Sequence, residues 1–178
     1  MTRARNTFAR RIILKRMLCA GFCALAVVAD QSSFAQAQVA PPLTSSGLNT
    51  QISGPTTLPS GQINYNITGG TRVGTNLFHS FGRFNVPANN IANFLNEASN
   101  PPTSNILGRI NGGNPSSIFG TIQTTGFGNA NLFLMNPAGF LFGPNATVNV
   151  GGMVAFTSAD YLKLADGVRF NAMTNTAA

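Results

Sequence analysis

The residues of this chain that could do acid–base or metal chemistry are few, and they stand far apart. Its one histidine, His79, lies inside the apolar run Asn76-Leu77-Phe78-His79-Ser80-Phe81. As a general base it would need an orienting carboxylate, and as a metal ligand it would need partners. The nearest acid in sequence is Glu97. Cleavage of a glycosidic bond needs paired carboxylates, and Asp160 and Asp166, which flank Tyr161–Leu164, read as solubilising groups at strand ends. Phosphate loops, zinc spacings and a basic stripe for nucleic acid do not occur after residue 37. His79 is expected to be structural, the chain not to be an enzyme, and no cofactor or metal is expected to bind.

What stands out is a set of turn-forming knots. Asn131–Gly152 holds three short apolar pieces, Leu132–Met135, Phe140–Phe142 and Thr147–Val150. Between them sit Asn136-Pro137-Ala138-Gly139 and Gly143-Pro144-Asn145. Proline fixes φ, and glycine and asparagine accept positive φ, so each knot turns the backbone in few residues. Val148 and Val150 alternate with Asn149, as in a strand with one buried face. The Asn136–Gly139 knot, with Phe140 behind it, is the candidate functional motif, as a structural corner, a partner contact or both.

The elements that must position this motif begin after an address label. The net charge of +7 suggests nucleic acid or an anionic membrane, but Arg3, Arg5, Arg10, Arg11, Lys15 and Arg16 supply six of the eleven basic residues. Met17–Ala29 follows as an apolar run, then small residues before Ala35 and Ala37. A basic head, a short apolar core and a small-x-small exit make a signal peptide over residues 1–37, cut after Ala37 or Ala35. The run is shorter than the roughly twenty residues that a bilayer-spanning anchor needs. Beyond it, five basic residues face three acids, and the basic character is gone. Cys19 and Cys23 lie within the apolar run, so the exported part has no disulfide to rely on.

Residues 38–60 are rich in Gln, Pro, Thr, Ser and Gly and read as a leader that runs over the surface or adds an irregular strand. From Gly61 onward, runs of alternating or β-branched and aromatic residues end at breakers: Gln62–Ile67, Asn76–Phe81, Arg83–Val86 after Gly82, Asn105–Ile110, Ser117–Thr124, Met153–Thr157, Tyr161–Leu164 and Val168–Phe170. Asn89–Ala98 has helical spacing but three asparagines against it, and is read as a strand. The late strands start six to eight residues apart, so three make a unit of roughly twenty residues, the repeat length of a solenoid. Asparagines at the corners (Asn111, Asn114, Asn129, Asn136, Asn145) suit side-chain ladders in a stacked coil. Charge at 8% of residues also favours a solenoid over a sandwich with two solvated faces.

Asn136-Pro137-Ala138-Gly139-Phe140 after Leu132–Met135 resembles the Asn-Pro-Asn-Gly-Ile motif of the N-terminal secretion domain of filamentous haemagglutinin-type exoproteins. Val148–Gly152, Val154–Ser158, the block Asn76–Val86 and Ile118–Ile122 fit the same pattern in the same order, over about Ser60 to Ala172. The resemblance implies an all-β, right-handed parallel β-helix with extra strands capping its N-terminal end. It implies export by the general secretory machinery, then recognition by an outer-membrane β-barrel transporter with periplasmic domains, which passes the chain to the surface or medium. The second asparagine of the motif is Ala138 here, and the family's Asn-Pro-Asn-Leu motif has only weak counterparts in Asn100-Pro101-Pro102 and Asn114-Pro115-Ser116.

In that family a passenger follows the secretion domain. This chain stops at Ala178, just after Val168–Phe170, with no capping signal, so a last rung would leave an open edge. Residues 61–178 are therefore expected to be a β-helix domain truncated at its C-terminus, whose passenger would make any contact with host cells or glycans. The alternative reading is a surface adhesin that binds cells or glycans directly. Phe127, between two glycines, is a candidate exposed aromatic for the transporter.

Overall fold

Short apolar runs ended by proline and glycine cannot hold a helix, and every regular element among the described residues is a β-strand. The computed structural model describes residues 40–97 and 100–173, all within the unit Val39–Ala178. The signal peptide expected over residues 1–37, with its cleavage after Ala35 or Ala37, lies outside the described residues.

The strands in chain order are β1 (Leu43–Gly47), β2 (Thr50–Thr57), β3 (Ile63–Gly69), β4 (Thr71–Val73), β5 (Asn76–Phe84), β6 (Asn90–Leu95), β7 (Asn105–Ile110) and β8 (Ser116–Ile118). They continue as β9 (Thr121–Thr125), β10 (Asn131–Met135), β11 (Phe140–Phe142), β12 (Thr147–Asn149), β13 (Val154–Thr157), β14 (Tyr161–Lys163) and β15 (Arg169–Asn171). One face of the coil stacks β3, β6, β9 and β12 in parallel. A second stacks β5, β7, β10 and β13, also in parallel. The third is narrow: Val86 bridges to Ile118, and β8 pairs with β11. Each circuit of the chain visits the three faces in turn, making a parallel β-solenoid of about three turns.

Alternation directs side chains into this coil. Leu77, Ile106 and Leu132 stack in register at the centre, and all are buried. Beside them run His79, Gly108 and Leu134, where a Cβ on Gly108 would meet Leu134 at 2.6 Å. The small residue makes room for its larger neighbours in the layers above and below. Phe81, Phe84 and Phe94 fill the wide first turns, with ring centroids 5.0 to 6.2 Å apart.

The N-terminal end is closed by antiparallel strands. β2 pairs with β3, while β1 and β4 share the outer edge of β5. The segment 38–60, read as a leader or N-terminal cap that runs over the surface or adds an irregular strand, contains two strands that cover the first turn. The break expected at Gly82 is not a strand end: β5 runs through it, but Thr44 pairs with Arg83 and Ser45 with Phe81, so Gly82 is an extra residue opposite β1, and a second shift leaves Ser46 unpaired on β1.

Two further expectations are corrected. The strand near Val168–Phe170 is not another rung: β14 and β15 pair antiparallel, and Phe170 packs with Phe78, Leu107 and Met135 on the outward side of the second face. Arg109 ties this hairpin down, donating to Asn171 O at 3.2 Å and to Ser80 Oγ at 2.9 Å while lying over the Phe170 ring. Side-chain ladders exist, but they run through asparagines within the strands, and of the corner asparagines named from the sequence Asn136 is the one whose side chain bonds the preceding corner. Asn131 donates to Asn105 Oδ1 at 2.9 Å and Asn105 to Asn76 Oδ1 at 2.8 Å, and Asn131 Oδ1 accepts the Met153 amide. On the first face Asn93 Oδ1 accepts from Gln123 and Thr125, and Asn93 donates to Asn66.

The second-face ladder also measures the turns. Its members are separated by 29 residues, then 26, and Met153 follows after 22. Removing its middle member strands a donor on one side and an acceptor on the other. Asn105→Ala should therefore cost about 1–3 kcal/mol in urea unfolding. Asn76→Ala, which removes only the terminal acceptor, should cost less.

Candidate functional site

The motif read from the sequence sits where β10 leaves the second face and β11 begins the third. Gly139 N donates to Asn136 O at 2.8 Å, closing a four-residue turn with Pro137 and Ala138 at its centre. Proline supplies the fixed φ of the first central position. Ala138 keeps a negative φ, so the turn does not require asparagine or glycine there. Gly139 has φ 91°, a conformation strained for any L-residue with a side chain, and this aims the chain into Phe140.

Asn136 is buried at 1% exposure, and its side chain is fully engaged. Its amide donates to Asn114 O and to Ser116 Oγ, both at 3.0 Å, and its Oδ1 accepts the Ala138 amide at 3.0 Å. Asn114 and Ser116 belong to the equivalent corner one turn earlier, so a single side chain clamps two successive corners. Its backbone amide reaches Thr157 O at 2.9 Å in the next turn. A carboxylate could not make the two donor bonds, and a glutamine would be too long for the Asx-type turn.

The surface part of the motif lies next to this clamp. Ala138 is exposed, and Leu141, which points outward from β11, is 57% exposed. Phe140 and Phe156 pack against the core, and the 44% exposed Phe142 joins them in a cluster with ring centroids 4.9 to 6.3 Å apart. The structure therefore brings Asn136, Pro137, Ala138, Gly139 and Phe140 together as one corner, with its anchoring residue inside and its tip in solvent. The partners Asn114 and Ser116 lie in the Asn114-Pro115-Ser116 corner noted in the sequence as a weak motif counterpart; that they bond to Asn136 was not legible there. Phe127 is buried at 8% in the core, so it is not the exposed aromatic it was read as.

His79 is a core residue. Thr50 Oγ1 lies 3.3 Å from its Nδ1 and accepts the Ser80 amide at 3.0 Å, and the ring packs against Phe81 and Phe94. Burial, aided by the positive charge of Arg72, lowers its pKa from the usual 6.5 to about 4. The native state thus holds the imidazole neutral. Among the described residues no three His, Cys, Asp or Glu side chains gather where they could hold a metal ion.

A family model described as TPS secretion domain matches residues 37–178. No curated protein matches the chain.

Three substitutions test this geometry. Asn136→Ala loses three hydrogen bonds at a buried site and should destabilise the protein by about 2–4 kcal/mol in chemical denaturation. Ala138→Asn, at an exposed turn position, should change stability by less than about 0.5 kcal/mol. For His79, the unfolded chain takes up a proton near pH 6.5 while the folded chain resists until about pH 4. Its contribution is intact above pH 6.5, declines as the pH falls toward 4 and levels off below, a total loss of about 3 kcal/mol. His79→Gln should flatten that limb of a plot of unfolding free energy against pH.

Proposed function

The chain belongs to the TPS secretion domain family, and on that premise we propose that its signal peptide, cut after Ala37 or Ala35, takes it through the general secretory machinery into the periplasm. Membership brings the coarser points with it: a secretion-targeting role in a two-partner system, a cognate outer-membrane transporter, and a destination at the surface or in the medium. The family is one of non-enzymatic targeting domains. In our reading the folded coil meets the periplasmic domains of the transporter there, and recognition precedes passage.

The observation that carries this reading is the match over nearly all of the chain that follows the signal sequence. The corner at Asn136 adds detail. A side chain that is 1% exposed and bonded on all sides is placed to hold a surface, not to be one. We therefore assign Asn136 and Gly139 to positioning, and the transporter contact to the solvent-facing side of the same corner, Ala138 and Leu141.

The test is co-expression with a β-barrel transporter encoded next to this gene, scoring release of the domain. Release should depend on the transporter, and equal amounts in the medium without it would overturn the proposal. Leu141→Ser should lower release severalfold with an unchanged melting temperature, because its side chain lies outside the core. Asn136→Ala should lower both together. Loss of release with full stability in Asn136→Ala would move that residue from support to direct contact.

A further inference from the structure

A second surface lies on the corner between the third and first faces, away from the Asn136 turn. A groove of about 440 Å³ runs there across four successive layers. Its floor and walls take one stretch from each circuit: Gln62 before β3, Asn89 and Asn90 at the start of β6, Thr121 at the start of β9, and Asn145 and Thr147 at β12. The layers are stacked in register, Ile63 against Asn90 and Thr121 against Thr147, so the groove follows the coil axis. At strand spacing, four layers extend it over about 14 Å.

The chemistry of the groove is narrow in kind. All its lining residues are uncharged, and its polar side chains are amides and hydroxyls. Their own contacts leave groups free for a ligand. Asn89 spends its amide on Gly61 O, which leaves its Oδ1, and Gln62 Oε1 accepts from Ser60, which leaves its amide. The Thr121 and Thr147 hydroxyls share one bond at 2.7 Å. Main-chain groups here are already paired: Asn90 N with Pro87 O, Gly120 N with Val86 O, and Thr147 N with Gly120 O. A peptide adding as a strand would find few backbone partners.

One aromatic ring completes the site. Phe119 follows β8 directly and is 38% exposed, although it is a large apolar residue in a polar groove. It is held from the next layer by Gly143, where any Cβ would collide with the ring. Its amide is fixed to Val86 O at 2.7 Å. An apolar face beside convergent amides and hydroxyls, with no charge, matches a pyranose, whose C–H face is apolar and whose rim is hydroxyls. We infer that this groove binds a neutral oligosaccharide along the coil axis, with Phe119 as the platform and Gln62, Asn90 and Asn145 reading hydroxyls.

This goes beyond secretion and does not depend on it. The test is titration of the purified, isotope-labelled protein with cellobiose, maltotriose, lactose and N,N′-diacetylchitobiose, and with a galacturonate trimer as the acidic comparator. Side-chain amide resonances of Gln62, Asn90 and Asn145 are followed by NMR. A saturable shift of these amides with at least one neutral sugar, of Kd about 1 mM or tighter, is the expected result. Phe119→Ala should weaken it about tenfold. Asn145→Ala, at an exposed loop position, should weaken it as well and covers the case in which loss of the ring unfolds the corner. The inference is overturned if no neutral sugar gives a saturable shift, if the acidic trimer binds as well as the best neutral one, or if both folded variants bind as the parent does.

Discussion

Everything in this protein depends on keeping its layers in register. In a strand, side chains alternate between the two faces, so a slip of one residue would turn the buried row of Leu77, Ile106 and Leu132 outward. Backbone hydrogen bonds alone do not prevent this, because they repeat with each pair of residues. The amide columns do. Asn76, Asn105 and Asn131 bond to one another only when each strand starts at the same height, and a slip breaks every bond in the column. The described residues, which hold no cysteine to cross-link them, fix their alignment with side-chain amides.

The same device recurs at the Asn136 corner in another form. There one amide spans two layers by bonding to a carbonyl and a hydroxyl of the preceding corner, and its carbonyl folds the tip of its own turn. The tip can then vary. Ala138 stands where the related motif has asparagine, and the turn closes without that side chain because its φ is ordinary. Buried anchor and free tip are a sensible division for a surface that must be held in shape while meeting a partner.

How much of this was legible in the sequence follows the same physics. Strand-and-corner alternation could be read because proline and glycine break runs wherever they fall, and the Asn89–Ala98 segment resolved correctly, as β6 shows. The motif residues 136–140 also came together as one corner. What escaped was whatever depends on the third dimension. The ladder asparagines look like ordinary strand residues until their registers are known, whereas corner asparagines such as Asn129 and Asn145 attract notice for being next to breakers. Phe127 looked exposed because glycines flank it, yet the turn they permit folds its ring into the core. The hairpin of β14 and β15 has the spelling of two more rungs, and only the apolar outward residues Phe78, Leu107 and Met135 explain why it folds back over them.

Along the second face the repeat shortens from 29 residues to 26 and then 22. The widest turns hold the Phe81, Phe84 and Phe94 cluster, while the last described layer presents Phe142 and Val148 to solvent. On the first face the repeat instead runs 27, 30 and 26 residues, so the length of a circuit is set by its corners and not by its strands. Among the described residues the parallel stacks end at β12 and β13, while at the other end antiparallel strands cover them, so a further parallel layer could be added at one end alone.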